Sequence, residues 1–119
     1  MQLSPKQQIY VRIMEEILPY LRNLQTHSLW RRISYGAYFA ELELVHNVGR
    51  CVANSELTKA DVYWLNAQAQ LYVNRGRKDL PFYGTVCALL DQLGDLVPTE
   101  LKLEMTWKGS GIASALSTE

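Results

Sequence analysis

The N-terminal segment of the chain has the hydrophobic spacing of an amphipathic helix. Its apolar residues recur three or four positions apart, which places them on one helical face. They are Ile9, Ile13, Ile17, Leu21 and Leu24, with Met14 and Leu18 widening the stripe. Ser4 and Pro5 suit the N-cap and the first helical position, and Gln7 is placed to complete a capping box. Pro19 interrupts the pattern, and because the periodicity resumes after it we expect a kink there.

A second helix is predicted from about Ser28 to Val52, and it is apolar on more than one side. One seam follows alternating spacings of three and four. It consists of Trp30, Ile33, Ala37, Ala40, Leu44, Val48 and Cys51. Further faces carry Tyr35, Tyr38, Phe39, Leu42 and Val45. Such a helix is either central in the fold or has one face in an interface.

Two more helices are predicted from their start and stop signals. Thr58, with Asp61 three positions later, predicts an N-cap, and Gly76 ends this third helix. Its apolar positions are Val62, Leu65, Ala69 and Tyr72. Asp79 is expected to cap a fourth helix that ends before Pro98. The fourth stripe is Tyr83, Val86, Leu90, Leu93 and Val97.

The pattern after the fourth helix changes to a period of two. Apolar residues alternate with polar ones at Leu101, Leu103, Met105 and Trp107. This favours an extended, strand-like arm over residues 99–108. Because a lone strand leaves its backbone groups unpaired, the arm is expected to pair with a second copy or a partner. The alternatives are a short helix capped by Thr99, or an arm whose Trp107 plugs the bundle. Residues 109–119 are expected to be a flexible tail.

The short connections favour antiparallel neighbours. The predicted fold class is therefore all-α, an up-down bundle of about four helices over residues 1–98, followed by the arm and the tail.

Composition places the chain among globular proteins and limits its partners. Of 119 residues, 48% are hydrophobic and 20% charged, which excludes a disordered chain. Twelve basic residues balance twelve acidic ones, so no overall field attracts nucleic acid or an anionic membrane. Without a signal-peptide pattern or a long apolar run, a cytoplasmic protein without a membrane segment is expected. Cys51 and Cys87 are expected to be reduced core residues, and no cofactor or metal is expected.

A polar stripe on the second helix is the first candidate site. Glu43, His46, Asn47 and Arg50 share one helical face. In a catalytic interpretation, His46 is a general base oriented by Glu43, and Arg50 holds an anion. Glu43-x-x-His46 also has the spacing of half a di-iron carboxylate site, but the required second pair of ligands is missing. A solvated stripe or a contact with a partner is the favoured interpretation.

A second candidate lies at the end of the first helix. The segment from Arg22-Asn23 to His27 resembles the R-x4-H motif of the HEPN family of helical ribonucleases and their antitoxin-associated relatives. The resemblance implies a dimeric all-helical fold in which Arg22 and His27 of two subunits meet at an RNA phosphate. Arginine would stabilise phosphate charge while histidine moves a proton. It covers only these six residues, and the alternative is a cation near a helix C-terminus followed by a loop histidine.

A basic turn is the third candidate. Arg75, Arg77 and Lys78 lie near Tyr72 and Tyr83, and basic residues among aromatics can bind phosphate and stack bases. Three charges on a neutral protein are a weak signal for nucleic acid, and a solubilising loop is favoured.

Aromatic residues are the strongest functional signal in the sequence. Three tryptophans and seven tyrosines exceed what a core of leucine and valine requires. Tyrosine and tryptophan are favoured anchors of protein interfaces, although a bundle can also bury them. The candidate partner-binding residues are Tyr35, Tyr38, Glu43, His46, Arg50, Tyr63, Trp64 and Trp107.

The sequence therefore predicts a non-enzymatic protein-binding module, expected to be a homodimer, that occludes a surface of another protein. Inhibitors, immunity proteins, anti-activators and adaptors are of this kind. The alternative is a HEPN-like ribonuclease or RNA-binding module using Arg22 and His27, and a purely structural subunit is a third possibility.

Overall fold

The described part of the chain, residues 2–25 and 38–110 of a computed structural model, is helical. The helices are α1 (Pro5–Gln25), α2 (Phe39–Cys51), α3, α4 (Tyr83–Asp95) and α5 (Thr99–Lys102). The third helix, α3, is continuous and consists of Lys59–Trp64, a π-helical turn at Leu65–Ala69, and Gln70–Arg75. No strand occurs in these two ranges, and the predicted all-α class is confirmed.

The helices α1 and α2 run antiparallel and are joined at both ends. The Gln7 side-chain amide donates to the backbone oxygen of Val52 at 2.9 Å, near the start of α1 and the end of α2. At the opposite end, the hydroxyls of Tyr20 and Tyr38 lie 3.2 Å apart. Pro19 lies inside α1, and the helix continues past it as expected. Since α1 packs on α2 and α4, and α3 packs on the same two helices, the four long helices share one core.

Most described members of the predicted apolar stripes lie in that core, together with Tyr10, which the sequence did not place in a stripe. The start of the second helix predicted near Ser28, with Trp30, Ile33 and Ala37 of its seam, lies outside the described residues. The largest fully buried apolar or aromatic side chains are Tyr10, Ile13, Ile17, Leu44, Val48, Leu65, Tyr72, Val86, Leu90 and Leu93. Cys51 and Cys87 are buried with free thiols, as predicted for core residues. Burial raises the pKa of the Cys87 thiol to about 11, so this sulfur stays protonated at neutral pH.

Two predicted helix starts are confirmed by reciprocal hydrogen bonds. At the start of α1, the Gln7 backbone N–H donates to Ser4 Oγ at 3.2 Å, and the Ser4 N–H donates to Gln7 Oε1 at 3.0 Å. At the start of α3, the Thr58 backbone N–H donates to Asp61 Oδ2 at 2.7 Å within a capping box. These bonds satisfy backbone donors that the first turn of a helix leaves without a partner.

The start of α4 differs from the prediction. The helix begins at Tyr83, whereas the sequence placed its cap at Asp79. The Asp79 carboxylate instead accepts two hydrogen bonds from the Arg77 guanidinium, at 2.8 and 3.2 Å. Asp79 does not cap the helix because its carboxylate binds Arg77, two residues earlier in the chain.

The strand predicted over residues 101–107 does not form. The chain instead begins this region with the short helix α5 and then crosses the bundle as a segment that we call the C-terminal strap (residues 103–110). Trp107 is 5% exposed and lies against α4, where its ring would be 3.2 Å from a Cβ atom added to Gly94. Burial of this indole against α4 holds the strap on the helices.

Side chains of the bundle satisfy the backbone of the strap. Asn66, in the π-helical turn of α3, accepts hydrogen bonds from the backbone N–H groups of Thr106 and Trp107 at 2.8 and 3.1 Å. Its amide nitrogen donates to the Glu104 backbone oxygen at 3.0 Å. A strand partner is therefore not needed for these groups, which is the physical reason that the period-two pattern misled the prediction.

The end of the strap is bound to α4. Asp91 accepts hydrogen bonds from the Ser110 backbone N–H at 2.8 Å and from the Ser110 hydroxyl at 2.7 Å. Gly109 turns the chain at a φ of 95°, a conformation that favours glycine. Residues 109 and 110, predicted as the start of a flexible tail, thus belong to the strap, and the predicted tail from 111 to 119 lies outside the described residues.

A buried ion pair joins the start of α1 to the start of α3. Lys6 Nζ lies 2.8 Å from Asp61 Oδ2, and the two side chains are 2% and 0% exposed. Lys6 also donates to the Glu56 backbone oxygen at 2.8 Å, and the Tyr10 hydroxyl donates to Asp61 Oδ1 at 2.8 Å. Burial, reinforced by the carboxylate, raises the pKa of Tyr10 far above its usual range, so its hydroxyl remains a donor. With Thr58 also donating to Asp61, both carboxylate oxygens are satisfied.

Replacing Asp61 by alanine is expected to lower the free energy of unfolding by about 3–5 kcal/mol, because Lys6 is then buried without a counter-charge. The matched control is Lys59→Ala, which removes an exposed ion pair with Glu104 at 3.7 Å. That change should cost less than about 1 kcal/mol. Urea unfolding followed by circular dichroism measures the free energy of unfolding of both variants. Equal decreases in the two variants would contradict the importance of the buried ion pair.

Asn66→Ala is expected to loosen the strap without unfolding the bundle, because three hydrogen bonds to strap backbone are lost. Amide hydrogen exchange at residues 104–107 should become at least about tenfold faster while exchange in α1 and α4 stays unchanged. Asn74→Ala, an exposed asparagine on the same helix, is the control. Unchanged exchange in the strap of the Asn66 variant would show that Trp107 and the Asp91–Ser110 hydrogen bonds hold it without Asn66.

Candidate protein-binding surfaces

The polar stripe predicted on α2 faces solvent. His46 and Arg50 are exposed, and Glu43 and Asn47 are half-buried. The Asn47 amide donates to the Glu43 backbone oxygen at 2.8 Å and lies 3.5 Å from Glu43 Oε2. Across residues 2–25 and 38–110, no group of three or more His, Cys, Asp or Glu side chains is arranged to hold a metal ion. The exposure of the stripe is compatible with both parts of the favoured interpretation, a solvated stripe or a contact with a partner.

The predicted ribonuclease pair is only half described. Arg22 is exposed near the end of α1. His27 lies outside the described residues, as does Tyr35 of the predicted partner-binding set. The HEPN resemblance therefore stays a prediction based on the motif.

Most of the aromatic residues chosen as partner anchors are buried. Tyr38, Trp64 and Trp107 are only 6%, 3% and 5% exposed, whereas Tyr63 is 74% exposed. Trp64 packs edge-on against Tyr10, with ring centres 5.3 Å apart. Neighbouring residues on a helix point about 100° apart, so one of an adjacent aromatic pair can lie in the core while the other lies in solvent. Of these described aromatics, Tyr63 is the one available to a partner.

The structure brings together two residues that the sequence placed in separate candidate sites. The Arg77 guanidinium lies 5.0 Å from the centre of the Tyr38 ring and pairs with Asp79. The exposed members of the basic turn are Arg75 and Lys78. Because Arg77 pairs with Asp79 and packs on Tyr38, the turn does not present its three cations together to a ligand. This geometry fits a solubilising loop.

Glu41 is a buried acid that the sequence reasoning missed. It is 1% exposed, and its Oε2 accepts the Arg77 backbone N–H at 2.9 Å, which ties α2 to the turn after α3. Its Oε1 has no hydrogen-bond partner among the described residues. Glu41 lies three and seven residues before Leu44 and Val48 of the core seam, and this spacing was the signal that could have identified it.

One exposed apolar surface lies where α3 meets the strap. Tyr63 and Leu103 are 74% and 90% exposed. Lys59 and Asn66 lie on either side of Tyr63 along α3, and both contact Glu104, the residue after Leu103. Tyr63 and Leu103 therefore both lie next to the contacts that Glu104 makes with α3, and we call this region the Tyr63–Leu103 patch.

A second apolar surface is a groove between α1 and α2 of about 380 Å³. Its apolar walls include Val11, Met14, Leu18, Val48 and Val52, together with Gly49. Two charged residues border it, Glu15 and Arg22, both on α1. Among the described residues, no heavy atom lies within 4 Å of a Cβ atom added to Gly49, so α1 and α2 leave the groove open at this point. We call this surface the α1–α2 groove.

Comparison with known proteins gives no family for this chain. No family model, curated protein or solved structure matches it. Within the described ranges, none of the helices has both the length and the apolar content that crossing a bilayer requires. The patch and the groove are therefore interpreted from their own geometry and chemistry.

Glu41→Gln is expected to change how stability depends on pH. Burial raises the pKa of Glu41, and the Arg77 N–H opposes this only in part. A carboxyl with a raised pKa stabilises the folded state fully below its ordinary pKa, and that contribution is lost as pH rises toward the folded value. Glutamine cannot ionise. The free energy of unfolding of the variant should therefore increase relative to that of the wild type as pH rises above the ordinary glutamate pKa of about 4.

Urea unfolding at several pH values measures this difference for Glu41→Gln. Glu100→Gln, which removes an exposed carboxyl on α5, controls for the change in net charge. A difference that stays constant or decreases with pH would mean that Glu41 is ionised in the fold without penalty.

Proposed function

We propose that this protein is a non-enzymatic protein-binding module that acts by covering a surface on a partner protein, with the Tyr63–Leu103 patch as its contact. The observation that carries the proposal is the 90% exposure of Leu103 beside the 74% exposure of Tyr63. The proposed occupant is a protein surface with an apolar pocket for the leucine and an adjacent flat, partly polar area for the tyrosine. The proposed location is the cytoplasm, where the free thiols of Cys51 and Cys87 stay reduced.

The energetic basis of the proposal is the apolar area that binding removes from water. Full burial of one leucine side chain is worth about 1.5–3 kcal/mol. Tyrosine adds a large contact area with few rotamers to restrict, and its hydroxyl finds polar partners at the edge of an interface. Tyrosine is enriched among binding hot spots, and the leucine adds apolar area to the same patch.

The backbone that presents the patch is already ordered, which lowers the cost of binding. Trp107 is buried, and Asn66 holds the strap backbone through three hydrogen bonds. Leu103 lies at the start of this anchored strap, and Tyr63 lies on a helix. Little backbone entropy is therefore lost when a partner binds.

The patch also has a polar rim suited to a protein partner. Lys59 and Glu104 are 76% and 51% exposed and carry opposite charges at its edge. Mixed charge around an apolar centre is the usual composition of a specific protein interface, whereas a nucleic-acid surface would carry a basic excess.

The double variant Tyr63→Ser with Leu103→Ser is expected to lose the partner. Loss of two hot-spot side chains should weaken binding by at least about 30-fold. Tagged wild type and variants are incubated with lysate of the native host, with and without nuclease, and bound proteins are quantified by mass spectrometry. Leu96→Ser, which changes a leucine that is 39% exposed directly after α4, is the matched control and should retain the partner.

Two outcomes of this experiment would contradict the proposal. A protein partner bound equally by the wild type and the double variant would mean that another surface is used. Nuclease-sensitive capture dominated by RNA would favour the alternative, a HEPN-like ribonuclease or RNA-binding module. In that case Arg22→Ala with His27→Ala should abolish RNA binding or cleavage while the fold is retained.

A further inference from the structure

The α1–α2 groove presents a second apolar stripe on α1. Val11, Met14 and Leu18 follow spacings of three and four, beside the core stripe on the same helix, and all three are partly exposed. Such spacing is that of the apolar seam along which one helix packs on another. The other wall is formed by α2 and includes the open position Gly49.

The stripe is bordered by one negative and one positive side chain, and their order along the helix matters for how a second helix can pack on it. Glu15 and Arg22 lie seven residues apart on α1 and border the same groove. Two helical turns separate them by about 10 Å along the axis, too far for a direct ion pair within one chain. The ion pairs recorded in the described ranges, Lys6–Asp61, Lys59–Glu104 and Arg77–Asp79, include neither of them.

We propose that the occupant of the α1–α2 groove is the same groove of a second copy of this chain, with the two α1 helices antiparallel. A two-fold axis near Leu18 then places Glu15 of each copy opposite Arg22 of the other, so that two ion pairs form at once. A parallel arrangement would place Glu15 against Glu15 and Arg22 against Arg22. Charges beside an apolar helical seam set orientation in this way.

Self-complementarity is the reason for choosing a second copy over an unrelated helix. An isologous interface requires that each residue and its contact both occur on the same surface, and the pair Glu15 and Arg22 satisfies this with Leu18 between them. Gly49 leaves room at the other wall for a side chain of the incoming copy. The dimer uses α1 and α2, whereas the Tyr63–Leu103 patch lies on α3 and the strap, so this inference is independent of the proposed function.

A charge-reversal cycle on the full chain tests the dimer. Sedimentation equilibrium at low salt measures the dimer dissociation constant of the wild type, Glu15→Arg, Arg22→Glu and the double variant. Each single reversal should raise this constant about tenfold, because two attractive contacts become repulsive, and the double variant should restore it to near the wild-type value. Glu100→Arg on α5 is the matched control and should leave the constant unchanged.

A second pair of variants tests the groove itself. Gly49→Trp fills the groove and should make the protein monomeric, with the same thermal unfolding midpoint as the wild type at a concentration at which the wild type is also monomeric. Gly49→Ala leaves room and should remain dimeric. A wild type that is monomeric at hundreds of micromolar, or a double variant that is not restored, overturns the proposal. A midpoint of Gly49→Trp far below that of the monomeric wild type also overturns it, because another part of the same chain then fills the groove. The result for the dimer does not depend on whether the Tyr63–Leu103 double variant loses its partner, because the two experiments change different surfaces.

Discussion

The buried carboxylate of Asp61 is the constraint on which the arrangement of α1 and α3 depends. Its charge is compensated by Lys6 at 2.8 Å, and its remaining hydrogen-bonding capacity is used by Tyr10 and by Thr58 in the capping box. A charged group at 0% exposure is stable only when all of these partners are in place. The start of α3 is therefore fixed in both position and rotation relative to α1.

That rotation decides which residues of α3 reach solvent. One turn after Asp61, Trp64 packs against the ring of Tyr10, so its neighbour Tyr63 points away from the core. In the next turn, Asn66 binds the backbone of the strap, and the strap carries Leu103. The exposed patch is thus a consequence of one buried ion pair, one aromatic contact and one asparagine.

The two proposed surfaces divide the molecule by function. The groove, formed by α1 and α2, is assigned to a second copy because its charges are self-complementary. The patch, formed by α3 and the strap, is assigned to a different protein because it has an apolar centre and a mixed polar rim. A dimer built on the first surface would present the second surface twice, which increases apparent affinity for any partner that offers two matching sites.

Local sequence signals determined much of α1, α3 and α4, because spacing and capping act within a few residues. The stripe of α1, the capping boxes at Ser4 and Thr58, and the apolar positions of α4 could all be predicted in this way. The alternation after residue 100 was misleading, because the conformation of the strap depends on Asn66. This residue binds the backbone oxygen of Glu104, which is 38 residues further along the chain. The tertiary structure alone decided that Trp64 is buried and Tyr63 exposed, that Glu41 lies in the core, and that Arg77 is held by Asp79 and Tyr38. Composition and periodicity indicate how many apolar faces a helix has. Which of these faces is buried depends on packing between elements that are distant in the chain.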